Sequence, residues 1–224
     1  MDALVLFDID GTLLRRAGPH HREALVEAVR RTARVESTTE GVPVAGMLDH
    51  TILETMMTRA GMKPGQIRRL MPQVMKSAQS IYVRRVPVLH RKVCPGVRTV
   101  LNRLERRGVV IGLVTGNLTR IGWRKLERAG LRPYFRFGAF AELAKDRAGL
   151  VRVAIRHARR QGWIGSQTRI SLIGDHPNDV RAAKANGIRS VAVATGVISL
   201  EELRTHSPDV LLPDLRSLAL EKLF

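Results

Sequence analysis

Asp8 and Asp10 stand two residues apart at the end of the apolar run Leu4–Phe7, and Gly11-Thr12 follow at once. Side chains two apart on extended backbone point the same way. Both carboxylates can therefore face one reacting centre, one attacking while the other moves protons. Gly11 permits a sharp turn and a close backbone approach. Two further apolar runs end in comparable groups. Val109–Val114 leads into Thr115-Gly116-Asn117, and Ile170–Ile173 leads into Gly174-Asp175, with Asp179 four residues on. Carboxylates gathered this closely repel unless a positive charge neutralises them. Several carboxylate oxygens together suit a hard cation such as Mg²⁺.

These groups need a scaffold that brings three chain segments to one edge. Short apolar runs alternate with amphipathic helical patterns: Leu4–Phe7, Val109–Val114, Phe137–Phe140, Ile170–Ile173, Ser190–Ala194 and Val210–Leu212. Strands alternating with helices predict a parallel sheet with crossover helices. Nearly continuous apolar strands fit a sheet buried on both faces. The expected fold is therefore α/β, a doubly wound, Rossmann-like parallel sheet, and in such sheets ligands sit beyond the carboxyl ends of the strands. "SLEEL" at Ser199–Leu203 has the form of a capping box, with Ser199 capping and Glu202 reaching back.

One block breaks the alternation. From Arg15 to Leu89 only helical patterns occur, including Leu25, Ala28, Val29, Thr32 and Ile52, Leu53, Met56, Met57, Ala60. A third pattern runs from Ile67 to Ile81, and Pro72 is expected to split it into two helices. The block reads as a helical accessory domain inserted after the first strand. Residues 1–14 and 90–224 are then the α/β core and residues 15–89 the insert, with joints near Arg15–Pro19 and Val86–Pro95.

Composition bounds the rest. The chain has 224 residues, 44% of them hydrophobic, and 38 Lys and Arg against 20 acids, a formal charge of +18. An Arg-rich surface attracts phosphorylated metabolites. A nucleic-acid partner is disfavoured, because the 4% of aromatic residues do not interleave with the basic clusters to form a stacking platform. No apolar run is long enough to span a membrane, and the N-terminal residues have no signal-peptide pattern. The one cysteine, Cys94, allows no intrachain disulfide, which fits a reducing, cytoplasmic location.

"FDIDGTL", "LVTGN" and "IGDHPND" resemble the first, second and fourth motifs of the haloacid dehalogenase superfamily. The branch most resembled is the phosphoglycolate phosphatase-like hydrolases, and the helical insert resembles that superfamily's mobile cap. The resemblance implies a magnesium-dependent phosphatase acting on a small phosphorylated metabolite through an aspartyl phosphate. It implies Asp8 as nucleophile and Asp10 as the acid, then base. Mg²⁺ would be held by Asp8, the backbone carbonyl of Asp10, and Asp175, with Asp179 in support. Thr115, Gly116 and Asn117 would bind phosphoryl oxygens.

The third motif departs from the family pattern. "GAFAELAKDRAGLV" has Lys145, then Asp146 and Arg147, where the family usually offers a lysine followed by proline. Arg147 is the expected phosphate cation, with Asp146 capping the following helix; Lys145 is the alternative and Lys92 a weaker third. A phosphomutase, a dehalogenase and a phosphonate hydrolase are the other readings within the superfamily. Asp10 argues against the dehalogenase, whose leaving group needs no acid. Asp49 is expected to cap its helix, His20, His21 and His176 to lie at the surface, and Cys94 to play no nucleophilic part.

Overall fold

A computed structural model describes residues 3–15 and 18–224. Arg16 and Ala17, inside the first expected joint, lie outside the described residues, as do Met1 and Asp2. Six parallel strands of the described residues form one sheet: β1 (Ala3–Phe7), β2 (Val110–Val114), β3 (Phe137–Ala139), β4 (Arg169–Gly174), β5 (Arg189–Val193) and β6 (Val210–Leu212). All five residues of β1 and all five of β2 are buried. Their unbroken apolar runs reflect a strand covered on both faces.

The sheet order is β3-β2-β1-β4-β5-β6. The chain winds outward from β1 through β2 to β3, then returns beside β1 and winds the other way. The reversal lies between β1 and β4, and that switch point is where open α/β sheets form their ligand crevice. Phe7 pairs with Leu113 on one side and Ile173 on the other, so β1, β2 and β4 end level with one another. The helices between strands are α4 (Val97–Arg106), α5 (Thr119–Ala129), α6 (Arg147–Arg160), α7 (Pro177–Lys184) and α8 (Leu200–Thr205). Ser199 caps α8 by accepting from the Glu202 amide at 3.1 Å; the reciprocal Glu202 bond is not formed.

Among the described residues, three α-helices lie between β1 and α4: α1 (His20–Ala33), α2 (Asp49–Arg59) and α3 (Pro64–Arg85). Ala24, Leu25, Ala28 and Val29 of α1 and Ile52, Leu53, Met56 and Met57 of α2 are buried, and both helices pack against α3. α3 in turn packs against α5 of the sheet layer. The expected break at Pro72 does not occur: α3 is one helix of 22 residues. Pro72 faces outward, while Ile67, Val74, Ala78 and Ile81 are buried on the other face. The proline removes one backbone hydrogen bond on the wet side, where water can replace it, and packing on both sides of it keeps the helix continuous.

Candidate active site

The level strand ends bring the predicted acids together. Asp8, the first residue beyond β1, still donates its amide to Ile173 of β4 at 3.0 Å. Asp175 follows β4 directly, and Asp179 lies in the first turn of α7. Carboxylate oxygens of Asp8, Asp175 and Asp179 lie within 4.8 Å of one another, and all three residues are buried. Gly11 makes this possible from the neighbouring turn. Its φ is +86°, and a Cβ there would stand 2.1 Å from the Asp175 carboxylate. Thr12 donates its hydroxyl to that same carboxylate at 3.1 Å.

The cluster is short of positive charge. Arg147 is its one ion-pair partner among the described residues, at 3.1 Å from Asp8 and 2.7 Å from Asp179. Burial, then the charges of Asp8 and Asp179, holds the Asp175 carboxyl well above its ordinary range. Burial also raises Asp179, against the pull of Arg147. Three buried carboxylates on one guanidinium leave an excess of negative charge, and an all-oxygen donor set of this kind suits a hard divalent cation.

Of the two third-motif candidates, only Arg147 reaches the carboxylates. Asp146 caps α6 by accepting from the Gly149 amide at 2.6 Å, which sets Arg147 in the first turn. Its guanidinium is buried, and Nε has no hydrogen-bond partner. Lys145 is exposed, makes no ion pair among the described residues and stands before the cap. Lys92 likewise remains outside the acid cluster.

Thr115 and Asn117 face the site from the end of β2, and both are buried. Asn117 donates through Nδ2 to Asp10 Oδ2 and to Thr115 Oγ1, both at 2.8 Å. Gly116 lets the insert approach: a Cβ there would lie 2.2 Å from the Met47 carbonyl oxygen, and its own carbonyl accepts from the Asp49 amide at 2.7 Å. The Asp10 side chain does not join the acid cluster. Its Oδ2 accepts from Lys125 at 2.5 Å as well as from Asn117. Desolvation would raise its carboxyl, but Lys125, His21 and the hydrogen bonds from Lys125 and Asn117 together lower it.

Lys125 is the residue that sequence reading missed, and three others are corrected. His21 is not a free surface residue: its ring meets Lys125 Nζ at 3.1 Å and Asp49 Oδ2 at 3.0 Å. Asp49 does not cap α2. Its Oδ2 accepts instead from the Leu118 amide at 2.8 Å, tying the insert to the core. His176 is also more than a surface residue, being half-buried and capping α7 through Nδ1, which accepts from the Asn178 amide. Burial, then Arg147, pushes its imidazole down to about 4, consistent with a neutral acceptor ring. His20 remains half-exposed beside Glu23. The Cys94 thiol is buried and pushed up to about 11 by that burial, so it is a poor nucleophile.

The family profile for haloacid dehalogenase-like hydrolases matches residues 3–187. The chain belongs to this hydrolase family. It is similar to the phosphoglycolate phosphatase of Synechococcus elongatus, with 28% identity over 93% of this chain and 91% of the relative. It is also similar to the phosphoglycolate phosphatase of Pseudomonas fluorescens, with 27% identity over 96% of this chain and 78% of the relative. Solved structures of like fold include β-phosphoglucomutase from Clostridium difficile, with TM-score 0.72, 17% identity, and 100% and 97% of the two chains covered. CbbY from Rhodobacter sphaeroides in complex with xylulose-(1,5)bisphosphate has TM-score 0.74, 18% identity, and 100% and 99% coverage. At these identities the structures bear on the fold alone. The family fold accounts for the crevice at the β1–β4 switch point.

Five arginines gather away from the acid cluster. A cavity of about 820 Å³ lined by Arg152, Arg156, Arg159, Arg169 and Arg189 lies where β4 and β5 begin, at the opposite edge of the sheet from Asp175. Among the described residues, no helix is long and apolar enough to cross a membrane.

Proposed function

We propose that this hydrolase is a Mg²⁺-dependent phosphatase that cleaves a small phosphorylated metabolite through an aspartyl phosphate on Asp8. The observation that carries this reading is the meeting of Asp8, Asp175, Asp179 and Arg147 beside Thr115 and Asn117, at the crevice of the sheet. Similarity to two phosphoglycolate phosphatases makes phosphoglycolate the first substrate to try.

The reaction runs in two halves. An Asp8 carboxylate oxygen attacks phosphorus, and the bond from phosphorus to the leaving alcohol breaks. Asp10, which Lys125 and Asn117 hold ionised in the free site, must first take up a proton and then gives it to the leaving oxygen. Asp10 then takes a proton from water as that water attacks phosphorus, which frees the Asp8 carboxylate and inorganic phosphate. Arg147 balances charge on the phosphoryl group, and its unpartnered Nε–H is a donor available to a phosphoryl oxygen. Thr115 and the Gly116–Asn117 backbone receive the other oxygens. Asp8, the Asp10 carbonyl and Asp175 would hold Mg²⁺, with Asp179 close enough to support or join them. Mg²⁺ supplies shielding between an anionic nucleophile and a dianionic substrate. We read residues 15–89 as a cap over the core formed by 1–14 and 90–224; the Gly116–Asp49 and Leu118–Asp49 contacts support a closed arrangement that excludes water.

A panel of phosphate monoesters that includes phosphoglycolate, assayed for phosphate release with and without Mg²⁺, tests the reading. Turnover that needs Mg²⁺ is expected. Interconversion of sugar phosphate isomers without phosphate release would favour the mutase instead.

The metal reading also has a test independent of activity. Mg²⁺ at 100-fold over its Kd should add about 2.7 kcal/mol to stability. Asp175→Asn keeps an oxygen for Thr12 but removes a crowded buried charge. The metal-free variant should therefore melt above the metal-free wild type, and Mg²⁺ should shift it little. Thermal melts of both proteins with and without Mg²⁺ measure this. An Asp175→Asn protein that Mg²⁺ stabilises as strongly as wild type would remove Asp175 from the metal site.

A further inference from the structure

Lys125 lies in the middle of α5 and is 1% exposed. An ammonium shut away from water must find an acceptor for each of its three hydrogens. It finds three: Asp10 Oδ2 at 2.5 Å, Asn117 Oδ1 at 2.6 Å and His21 Nδ1 at 3.1 Å. An ammonium only donates, so His21 Nδ1 accepts. Its Nε2 then carries the ring hydrogen and donates to Asp49 Oδ2 at 3.0 Å. Tyr82 of α3 stacks edge-on against His21, with ring centroids 5.6 Å apart. The ammonium is thus held from the core by Asn117 and from the insert by His21.

The bonds on Asp10 are one-sided. Lys125 and the Asn117 amide both donate to Oδ2, while Oδ1 has no hydrogen-bond partner among the described residues. Lys125 also sets the Asn117 amide, because its contact with Oδ1 turns Nδ2 toward Asp10 and Thr115. A carboxylate gripped by one oxygen from two directions has a fixed plane and a free second oxygen. We propose that Lys125 is a positioning residue for Asp10, clamping Oδ2 directly and through Asn117 so that Oδ1 faces the reacting centre and moves the proton. The proposal rests on the phosphatase reading above. The third bond, to His21, makes the clamp complete only when the insert sits on the core.

A role confined to Asp10 is separable from a general loss of structure by the leaving group. An alcohol leaving from phosphoglycolate needs a proton from Asp10. p-Nitrophenolate leaves as a stable anion and needs none. The experiment is rapid-quench kinetics of the Mg²⁺-loaded enzyme with phosphoglycolate and with p-nitrophenyl phosphate, comparing wild type, Lys125→Met and Lys125→Gln. In Lys125→Met, the first-turnover release of glycolate should fall by about 10²-fold, at the lower end of the range for general acid catalysis. The first-turnover burst of p-nitrophenolate should stay within about threefold of wild type, because Asp8 still attacks. KM for phosphoglycolate should change less than kcat. Lys125→Gln can still donate to Asp10 and Asn117, so its loss should be smaller and confined to phosphoglycolate. It also supplies the comparison if the Met variant fails to fold. Equal losses on both esters, or no loss on either, would overturn the role of Lys125 and leave the phosphatase reading standing. Wild type inactive on both esters and on the whole panel of phosphate monoesters would overturn the phosphatase reading and this proposal with it.

Discussion

Replacing Asp8 by Asn should abolish turnover while leaving the protein folded. Asp8 is 4% exposed and stands at the end of the central strand, with its amide bonded to Ile173 and its carboxylate against Arg147. Asn keeps the volume and one oxygen for Arg147, so the loss is chemical rather than structural. An amide cannot attack phosphorus and be regenerated. The expected fall in kcat is about 10⁴ or more, the scale on which nucleophile removal acts. Steady-state rates on the best phosphate ester, with circular dichroism to check the fold, give the result. A folded Asp8→Asn protein with wild-type activity would exclude covalent catalysis by this residue.

The second large effect belongs to Arg147. Arg147→Ala should lower kcat/KM by about 10² or more, the scale for losing one preorganised electrostatic partner. It should also destabilise the metal-free protein by about 3–5 kcal/mol, because Asp8 and Asp179 would keep buried charge without their shared cation. Mg²⁺ should recover part of that stability. Lys145→Ala should change neither quantity appreciably, since Lys145 is exposed and precedes the Asp146 cap that aims Arg147 inward. Because an arginine stays charged at any working pH, activity should show no fall through a lysine titration on the alkaline side. Parallel kinetics and melts of the two variants decide the matter. The reverse ranking, with both variants folded, would transfer the role to Lys145.

Much of this architecture was legible because the chain states it locally. The six apolar runs each became a strand within a residue or so at either end, since strands buried on both faces carry continuous apolar sequence. Asp8, Asp175 and Asp179 could be grouped from their positions after such runs, because parallel strands end together at one edge. Pro72 shows where local reasoning fails. The apolar period through Ile67, Val74, Ala78 and Ile81 continues across it, and burial of that stripe outweighed one lost hydrogen bond. Lys125 failed for a related reason. Lysine in an amphipathic helix is ordinarily assigned to water, yet Ile121, Gly122, Lys125, Leu126 and Ala129 form one buried stripe. A charge on the apolar face was the available signal. His21 and Asp49 left no such trace. Their partners lie 104 and 69 residues away along the chain, and only the docked insert brings them together.

The proposed reaction turns on a phosphoryl group carried covalently by Asp8. Mg²⁺-loaded enzyme mixed with its best phosphate ester, quenched in acid within the first turnover and digested, can be mapped by mass spectrometry. A single phosphoryl adduct on the peptide containing Asp8, absent from the Asp8→Asn protein, is the expected result. Rapid phosphate release in the same time window with no adduct on any aspartate, or with the adduct on another residue, would contradict it.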